Sequence, residues 1–240
     1  MKCIKGFMLV LALLLGGITP TSAQNEWLGT IVIGTISDID DSHPTFLRVQ
    51  QAYRMIGYDA KLLLLPYERS EYEANRGRFV DAELARTDEV QALLPNMIRI
   101  DVPLETDQIS VFTARDDLNI QDWDDLEGLR IDTVRGMSVI TRRLVQHHPF
   151  NEIGTVEQVF QRLESGRSDV AILPGNMAEF VLSRTDVTGI QRLHPGLEEL
   201  PLYHYIHRHH QHLTEQLTHA LYEVVNGEPH SLSARPKTTP

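Results

Sequence analysis

The feature that most constrains this chain is an alternation of short apolar runs with segments whose apolar residues lie three or four positions apart. The run at 30–36 is typical of a buried strand, and a second such run lies at 60–65. Between the two runs, Phe46, Val49 and Tyr53 have the spacing of a helix face. Strand and helix patterns in alternation predict an α/β fold with mostly parallel sheets.

The alternation is interrupted once, midway along the chain. Residues 97–114 hold two extended apolar stretches, after which the strand and helix patterns resume and include a buried strand at 169–173. A chain of 240 residues is long enough for two small lobes. We therefore predict two α/β lobes, followed by a polar tail at 228–240 that is rich in Pro, Ser and Thr and expected to be disordered.

The N-terminus has the three parts of a secretory signal peptide. Lys2 and Lys5 precede an unbroken apolar run at 7–15, and small residues follow up to Ala23. The alternative is a membrane anchor, but this run is shorter than the roughly 20 residues that a spanning helix needs. We expect cleavage after Ala23 and export to the periplasm. The one cysteine, Cys3, lies in the segment that is removed, so we expect neither a disulfide nor a lipid anchor.

Charge and motifs narrow the function. The formal net charge is −11, which argues against nucleic acid or an anionic membrane as partner. The sequence contains no nucleophile elbow, phosphate loop, HExxH motif or dinucleotide fingerprint. These absences give no support for an enzyme, and we expect no cofactor.

Four segments carry a family resemblance when they are taken in order. They are RGRFVDAELAR at 76–86, VPLETDQISVFTARDD at 102–117, WDDLEGLRIDTVRGMS at 123–138 and VFQRLESGRSDVAILPG at 159–175. With them, residues 27–227 resemble the family 3 extracellular solute-binding proteins, which have the type II periplasmic-binding fold. The closing stretch, YHYIHRHHQHLTEQLTHAL, is similar to one branch of that family.

The resemblance implies two lobes joined by a hinge that the chain crosses twice, near 111–115 and near 193–202. Lobe 1 then comprises 24–112 and 196–227, and lobe 2 comprises 113–195. A small ligand sits in the cleft between the lobes, which close on it.

For partners, the resemblance implies a receptor that delivers its ligand to the membrane permease of an ABC importer. We expect a monomer. Two alternatives stay open, a ligand receptor that feeds a membrane sensor kinase and a periplasmic enzyme of the same fold with dehydratase activity. The enzyme would need a general acid in the cleft, for which Glu68, Glu83 or Glu179 can be proposed.

Arg86 is the first candidate for ligand binding. It ends the strand pattern at 80–86, and the carboxyl ends of parallel strands face the ligand crevice of open α/β sheets. An arginine can hold a carboxylate or phosphate through two parallel hydrogen bonds. The alternative is a surface arginine paired with Asp81 or Glu83.

Gly136 and Ser138 form a second candidate, because they open a helix after the strand pattern at 129–134. In the family, a turn at this place offers a hydroxyl and helix N-terminal amides to a carboxylate, and helix N-termini favour anions. Ser138 could equally be a plain N-cap. The adjacent Arg135 could add positive charge or face solvent.

The loops after the first two strands supply further candidates. Asp38 and Asp40 follow the first strand, where the family has its first ligand loop, although an N-cap or turn role is the alternative. Tyr67 and Arg69 follow the second strand, and an aromatic ring there could stack on a ligand.

One departure from the family bears on the ligand. Amino-acid binders usually have an acid after the strand at 169–173, where it pairs with the ligand's ammonium group, but this chain has Pro174, Gly175 and Asn176. We keep Asn176 as a candidate contact. We expect an anionic, carboxylate-bearing ligand, held by Arg86 and the turn at Ser138, without the usual ammonium pairing.

Five histidines cluster near the C-terminus, at positions 204, 207, 209, 210 and 212. Zinc needs three or four ligands that converge tetrahedrally, whereas side chains alternate along a strand, so that His204 faces away from His207. We predict a solvated junction between strand and helix and no metal site.

Overall fold

A computed structural model of the chain describes residues 27–146 and 148–227. The predicted signal peptide, 1–23, and the predicted tail, 228–240, lie outside the described residues. Within the described ranges, no helix combines the length and the apolar character needed to cross a membrane.

In these ranges the chain forms nine strands and six α-helices. The strands are β1 (Gly29–Ile36), β2 (Tyr58–Leu65), β3 (Ala82–Arg86), β4 (Met97–Thr113), β5 (Ile131–Val134), β6 (Phe150–Ile153), β7 (Val170–Pro174), β8 (Gln191–Arg192) and β9 (Glu198–His207). The helices are α1 (Pro44–Met55), α2 (Tyr67–Arg76), α3 (Ser138–Leu144), α4 (Val156–Glu164), α5 (Gly175–Leu182) and α6 (Thr214–Asn226). Short 3-10 helices lie at Asp88–Ala92, Asp124–Leu126 and Arg208–Leu213.

The strands pair in the order β2-β1-β3-β9-β4-β7-β5-β6, and β8 pairs with β4. At one end β1 is parallel to β2 and β3, and at the other end β5 is parallel to β6 and β7. The long strands β4 and β9 run antiparallel to each other and join the two parallel groups. The α/β class predicted from the alternation is therefore confirmed.

Two hydrophobic cores lie on either side of this junction. The first packs β1, β2 and β3 with α1 and α6, and the second packs β5 and β7 with α3, α4 and α5. Strand β4 belongs to both, because Leu104 lies in the first core and Ile109 in the second. A third, smaller cluster around Ala74, Val80 and Tyr205 lies in the first half.

The packing bears on where the chain crosses between the halves. Val111 and Phe112 are buried in the second core, which favours a first crossing at 105–108, ahead of the predicted 111–115. The start of β9 pairs with β4 at this same level, Leu202 with Glu105 and Glu198 with Ile109, which overlaps the predicted second crossing. The lobe boundaries at 112 and 195 stay predictions.

Capping residues determine where the helices beside the junction begin and end. His43 is the N-cap of α1, since its ring Nδ1 accepts the Thr45 N–H at 3.3 Å, and Pro44 follows in the first helical turn, where proline costs no hydrogen bond. Helix α2 ends at Arg76 and is capped by Gly77, whose φ of 61° is the left-handed conformation that glycine adopts without strain.

Candidate functional site

A small cavity lies between the two halves. Its wall includes Tyr67 and Arg86 from the first half, Met137 and Met177 from the second half, and Asp107 from the strand that joins them. Its volume is about 90 Å³. Pockets for drug-sized ligands occupy roughly 300–1,000 Å³. The cavity therefore suits a small solute enclosed on several sides.

Arg86 is buried at the carboxyl end of β3 and is held by its neighbours. Its Nη2 lies 2.5 Å from Oε2 of Glu83, and its Nε lies 3.6 Å from Oε1 of Glu71. Its Nη1 donates to the Ala85 carbonyl at 3.0 Å, and its guanidinium carbon lies 4.6 Å from the centre of the Tyr67 ring. The predicted strand-end position is thus observed, and the arginine is a buried member of an ion cluster.

The two carboxyl groups beside Arg86, those of Glu83 and Glu71, have raised pKa values. Burial raises the pKa of Glu83 to about 7, although the positive charge of Arg86 and a 2.6 Å hydrogen bond from the Ser70 hydroxyl act in the opposite direction. Burial also raises the pKa of Glu71, against the attraction of Arg86 and Arg142. Perturbed carboxylates beside a cavity are a feature of functional sites.

Several buried polar atoms in this cluster retain unused hydrogen-bonding capacity. Among the described residues, Arg86 Nε and Thr87 Oγ1 have no aligned hydrogen-bond partner, and Arg86 and Thr87 both line the cavity. An unmatched buried polar group costs about 1–3 kcal/mol. A ligand with an acceptor group would relieve that cost.

The joining strand β4 contributes an acidic wall that the sequence analysis did not predict. Asp107 is buried, and its Oδ1 accepts the N–H groups of Gln108 at 2.6 Å and of Asn176, at the start of α5, at 2.9 Å. Burial raises its pKa. Two residues earlier, Glu105 accepts the Thr45 hydroxyl at 2.7 Å and also lines the cavity.

His43 is another residue of the cavity that the sequence analysis missed. Besides capping α1, its ring lies edge-on to the Phe180 ring of α5, with 4.5 Å between centres, so it touches both halves. Burial lowers the pKa of His43, which favours the neutral ring. A histidine before a proline resembles an ordinary helix start, so the sequence offered no separate signal for a cavity role.

Direct contacts close the two halves around the cavity. Asp38 Oδ1 accepts the N–H of Val156, at the start of α4, at 3.0 Å. On another side, Arg142 and Arg143 lie 3.1 and 2.8 Å from the carboxylate of Glu89. The halves are therefore observed in a closed arrangement.

The turn at 136–138 also takes part in this contact. Gly136 has a φ of 80°, and a Cβ there would lie 2.9 Å from the Glu68 side chain and 3.4 Å from Tyr67. Glycine is needed at this position for both conformation and space. The turn therefore packs against the first turn of α2.

The eight predicted ligand residues have different positions. Arg86 and Tyr67 line the cavity, and Ser138 lies between two lining residues, Met137 and Val139. The Ser138 hydroxyl is buried and has no hydrogen-bond partner in the described part of the chain. These three positions are compatible with ligand contact, which stays a prediction.

The other predicted residues have different surroundings. Arg69 is exposed and pairs with Glu73 at 2.5 Å, and Arg135 is exposed. Asp38 bonds to α4, and Asn176 has its backbone N–H on Asp107 and is exposed. Their role as ligand contacts is untested and stays a prediction.

The glutamates named for an enzymatic alternative lie away from the centre of the cavity. Glu83 is fully buried behind Arg86, whereas Glu68 and Glu179 are exposed. The carboxylates that line the cavity are those of Glu105 and Asp107.

The histidines at the end of β9 are not all solvated, which corrects that part of the interpretation. His204 is buried, where its Nδ1–H donates to the Leu84 carbonyl at 3.1 Å and its Nε2 accepts the Tyr53 hydroxyl at 2.9 Å. His207 is also buried, and its ring accepts the N–H of His209. Among the described residues, no group of three His, Cys, Asp or Glu has the arrangement of a metal site.

Comparisons of sequence are limited. No protein-family model matches the chain. A relative from Shewanella oneidensis, described as an uncharacterized protein, is 27% identical over 177 residues, which make up 71% of this chain and 66% of that protein. The match therefore spans just under two thirds of the relative's length.

Comparisons of structure are more extensive. Holo ArgBP from T. maritima matches with a TM-score of 0.68 at 14% identity over 82% of this chain and 90% of that chain. An amino acid ABC transporter substrate-binding protein from Streptococcus pneumoniae, bound to L-arginine, matches with a TM-score of 0.67 at 14% identity over 83% and 90%. A histidine kinase sensor domain with similarity to periplasmic binding proteins matches with a TM-score of 0.66 at 15% identity over 83% and 95%.

These structural matches establish the fold. The chain has the two-lobed type II periplasmic-binding fold that the sequence analysis predicted. At identities of 14–15% the likeness concerns the fold alone.

Proposed function

We propose that this chain is a solute-binding protein of the family 3 type, which captures one small polar solute by closing its two lobes. The observation that carries the proposal is the cavity itself, which is lined from both halves and has Arg86 on one side and Glu105 and Asp107 on another. Charges of both signs around a small enclosed volume favour a ligand with complementary charges.

We propose that an anionic group of the ligand, such as a carboxylate, binds at Arg86. The Nε–H of Arg86 and the nearby Thr87 hydroxyl, which have no aligned partner within the described residues, support this assignment. The hydroxyl of Ser138, on the other half, is a further unmatched group close to the cavity. An anion that reaches both sides would favour closure.

The acidic wall supports a positively charged group on the same ligand. The sequence analysis expected no acid for an ammonium group, because Pro174 stands at the end of β7, where amino-acid binders usually have an acid. Asp107 lies close to that position in space, since it bonds the N–H of Asn176, and β4 pairs Ile109 with Pro174. An acid on the joining strand can therefore replace the missing one, and the proposed ligand is zwitterionic, as amino acids are.

The comparisons support solute binding and leave two roles open. One structural neighbour is described as an ABC transporter protein bound to L-arginine, and another as a sensor domain of a histidine kinase. We propose export to the periplasm and delivery of the ligand to an ABC permease, with a sensor receptor as the second candidate role. We propose that the protein acts as a monomer and without catalysis.

A thermal-shift screen of amino acids and small organic acids tests the proposal. The best amino acid is then compared with its analogues that lack the ammonium or the carboxylate group, which for glutamine are glutaramic acid and 4-aminobutanamide. A ligand at a hundred times its Kd adds about 2.7 kcal/mol of stability. We expect the complete amino acid to raise Tm more than either analogue.

The analogues separate the parts of the proposal. An equal shift with the analogue that lacks the ammonium group would remove the role of Asp107 and Glu105. No shift with any compound of the panel would contradict small-solute binding. Conversion of the bound compound, followed by NMR, would favour the enzymatic alternative.

A further inference from the structure

The cluster around Arg86 has more negative charge than one guanidinium can balance. Glu83 and Glu71 lie 2.5 and 3.6 Å from its nitrogens, and Glu83 is fully buried. A ligand carboxylate would be a third anion around the same positive charge. Burying a charge without compensation is unfavourable, and groups in such positions usually change protonation instead.

The neighbours of Glu83 identify which group can change. Helix α2 brings the Ser70 hydroxyl, which donates to Oε1, and also brings Glu71 and the Tyr67 ring. From β1 the uncharged Gly34 packs against Oε1, and from β9 the facing residue is Tyr205. Arg86 is therefore the cation that acts directly on Glu83.

Glu71 is in a different position from Glu83. It is only partly buried, and Arg142 of α3 attracts it in addition to Arg86. A second cation stabilises its ionised form. Protonation of Glu83 therefore gives up less electrostatic stabilisation than protonation of Glu71.

We propose that Arg86 becomes available to an anionic group only when Glu83 is protonated, so that the protein takes up a proton together with its ligand. This inference rests on the proposed function, because it assigns the anionic end of the ligand to Arg86. The proton comes from solvent and binds Oε2, the oxygen that faces Arg86 Nη2, while Oε1 keeps its bond from Ser70. Glu83 then acts as a positioning residue that controls Arg86 and does not touch the ligand.

The expected pH range follows from the buried position of Glu83. Its pKa of about 7 lies between pH 6, where the carboxyl group is mostly protonated, and pH 8, where it is mostly ionised. The protonated fraction, and with it the affinity for an anion at Arg86, falls about tenfold over this interval. Replacement by the neutral Glu83→Gln should remove the dependence.

The test uses the full mature protein and the Nε–H signal of Arg86 in a ¹H–¹⁵N NMR spectrum, assigned with Arg86→Lys. Without ligand, this signal should titrate near pH 7 in the wild type and not in Glu83→Gln. With sodium acetate as the probe, the affinity read from this signal in the wild type should be about ten times higher at pH 6 than at pH 8. In Glu83→Gln the affinity should be equal at both pH values. Glu73→Gln is the matched control, because Glu73 is a buried glutamate paired with Arg69, and it should behave as the wild type.

The outcomes distinguish the control by Glu83 from the anion site at Arg86. A wild-type response to acetate that is equal at pH 6 and pH 8 overturns the control by Glu83 and leaves the anion site intact. No response to acetate at either pH, in the wild type and in Glu83→Gln, overturns the anion site and this inference with it. If Glu83→Gln does not fold, the wild-type titration decides, since an Arg86 signal that is constant from pH 6 to pH 8 contradicts the inference.

Discussion

His204 is a single buried side chain that links the stability of the first half to pH. Its ring is hydrogen-bonded at both nitrogens, to the Leu84 carbonyl and the Tyr53 hydroxyl, and burial lowers its pKa to about 4. The ordinary histidine pKa is near 6.5. Because the folded protein holds the neutral ring, stability is full above the unfolded pKa and falls as the pH drops from about 6.5 towards 4.

The difference between pH 8 and pH 5 measures this effect. The wild type should lose about 2 kcal/mol of unfolding free energy through His204 over this interval. His204→Gln can donate to Leu84 and accept from Tyr53 without titrating, so its loss should be smaller by that amount. Urea unfolding of both proteins at both pH values gives the comparison. Equal losses would show that His204 does not titrate as its burial requires.

Residues of the site could be predicted only where the local pattern determines their place. The place of Arg86 was predicted from its position at the end of a strand. Glu83 was also predicted, as one of two alternative partners of Arg86. Asp107 could not be found in this way, because its place beside the cavity depends on the pairing of β4 with β7, far apart in the chain. His43 was missed because its second contact, Phe180, is 137 positions away and in the other half.

At the scale of elements, the start of α4 combines two hydrogen bonds with different consequences. Thr155 is the N-cap, and its hydroxyl accepts the Gln158 N–H at 3.2 Å within one half. Asp38 accepts the Val156 N–H from the opposite half. The first bond stabilises the helix, whereas the second acts only when the halves are closed.

Two alanine variants separate these bonds. Thr155→Ala should lower the unfolding free energy by about 1 kcal/mol, as expected for a lost N-cap, and leave the shape unchanged. Asp38→Ala should affect stability less but increase the radius of gyration of the ligand-free protein in small-angle X-ray scattering, because a link between the halves is lost. An unchanged radius for Asp38→Ala would mean that this bond does not contribute to closure.

Segments with a clear apolar pattern were predicted well, and segments without one were missed. The spacing of Phe46, Val49 and Tyr53 matches α1, and the extended stretch at 97–114 is observed as the single strand β4. Strands β6 and β8 were missed, because β6 contains polar, exposed residues at its centre and no apolar run, and β8 has two residues only. Their pairing with β5 and β4 is a property of the assembled sheet.

At the scale of the molecule, the paired strands β4 and β9 connect the two hydrophobic cores within one hydrogen-bonded sheet. The interrupted alternation predicted two lobes, and the two cores are observed. The sequence could not show that both joining segments pair along their length, which makes the hydrogen-bonded ladder continuous from β2 to β6. The segment at 105–108, which includes Glu105 and Asp107, lies in β4 between the residues that belong to the two cores.

The most direct test of the account is a calorimetric titration with the amino acid that gives the largest thermal shift, on the wild type and on a variant whose cavity is filled. Ala85 lines the cavity, so Ala85→Phe should occupy the space of the ligand, whereas Ala92→Phe adds the same ring at an exposed position. The account predicts one ligand per chain for the wild type and for Ala92→Phe, and at least a hundredfold loss of affinity, about 2.7 kcal/mol, for Ala85→Phe. Binding to Ala85→Phe with the affinity of the wild type would contradict the claim that the solute is held between the two halves.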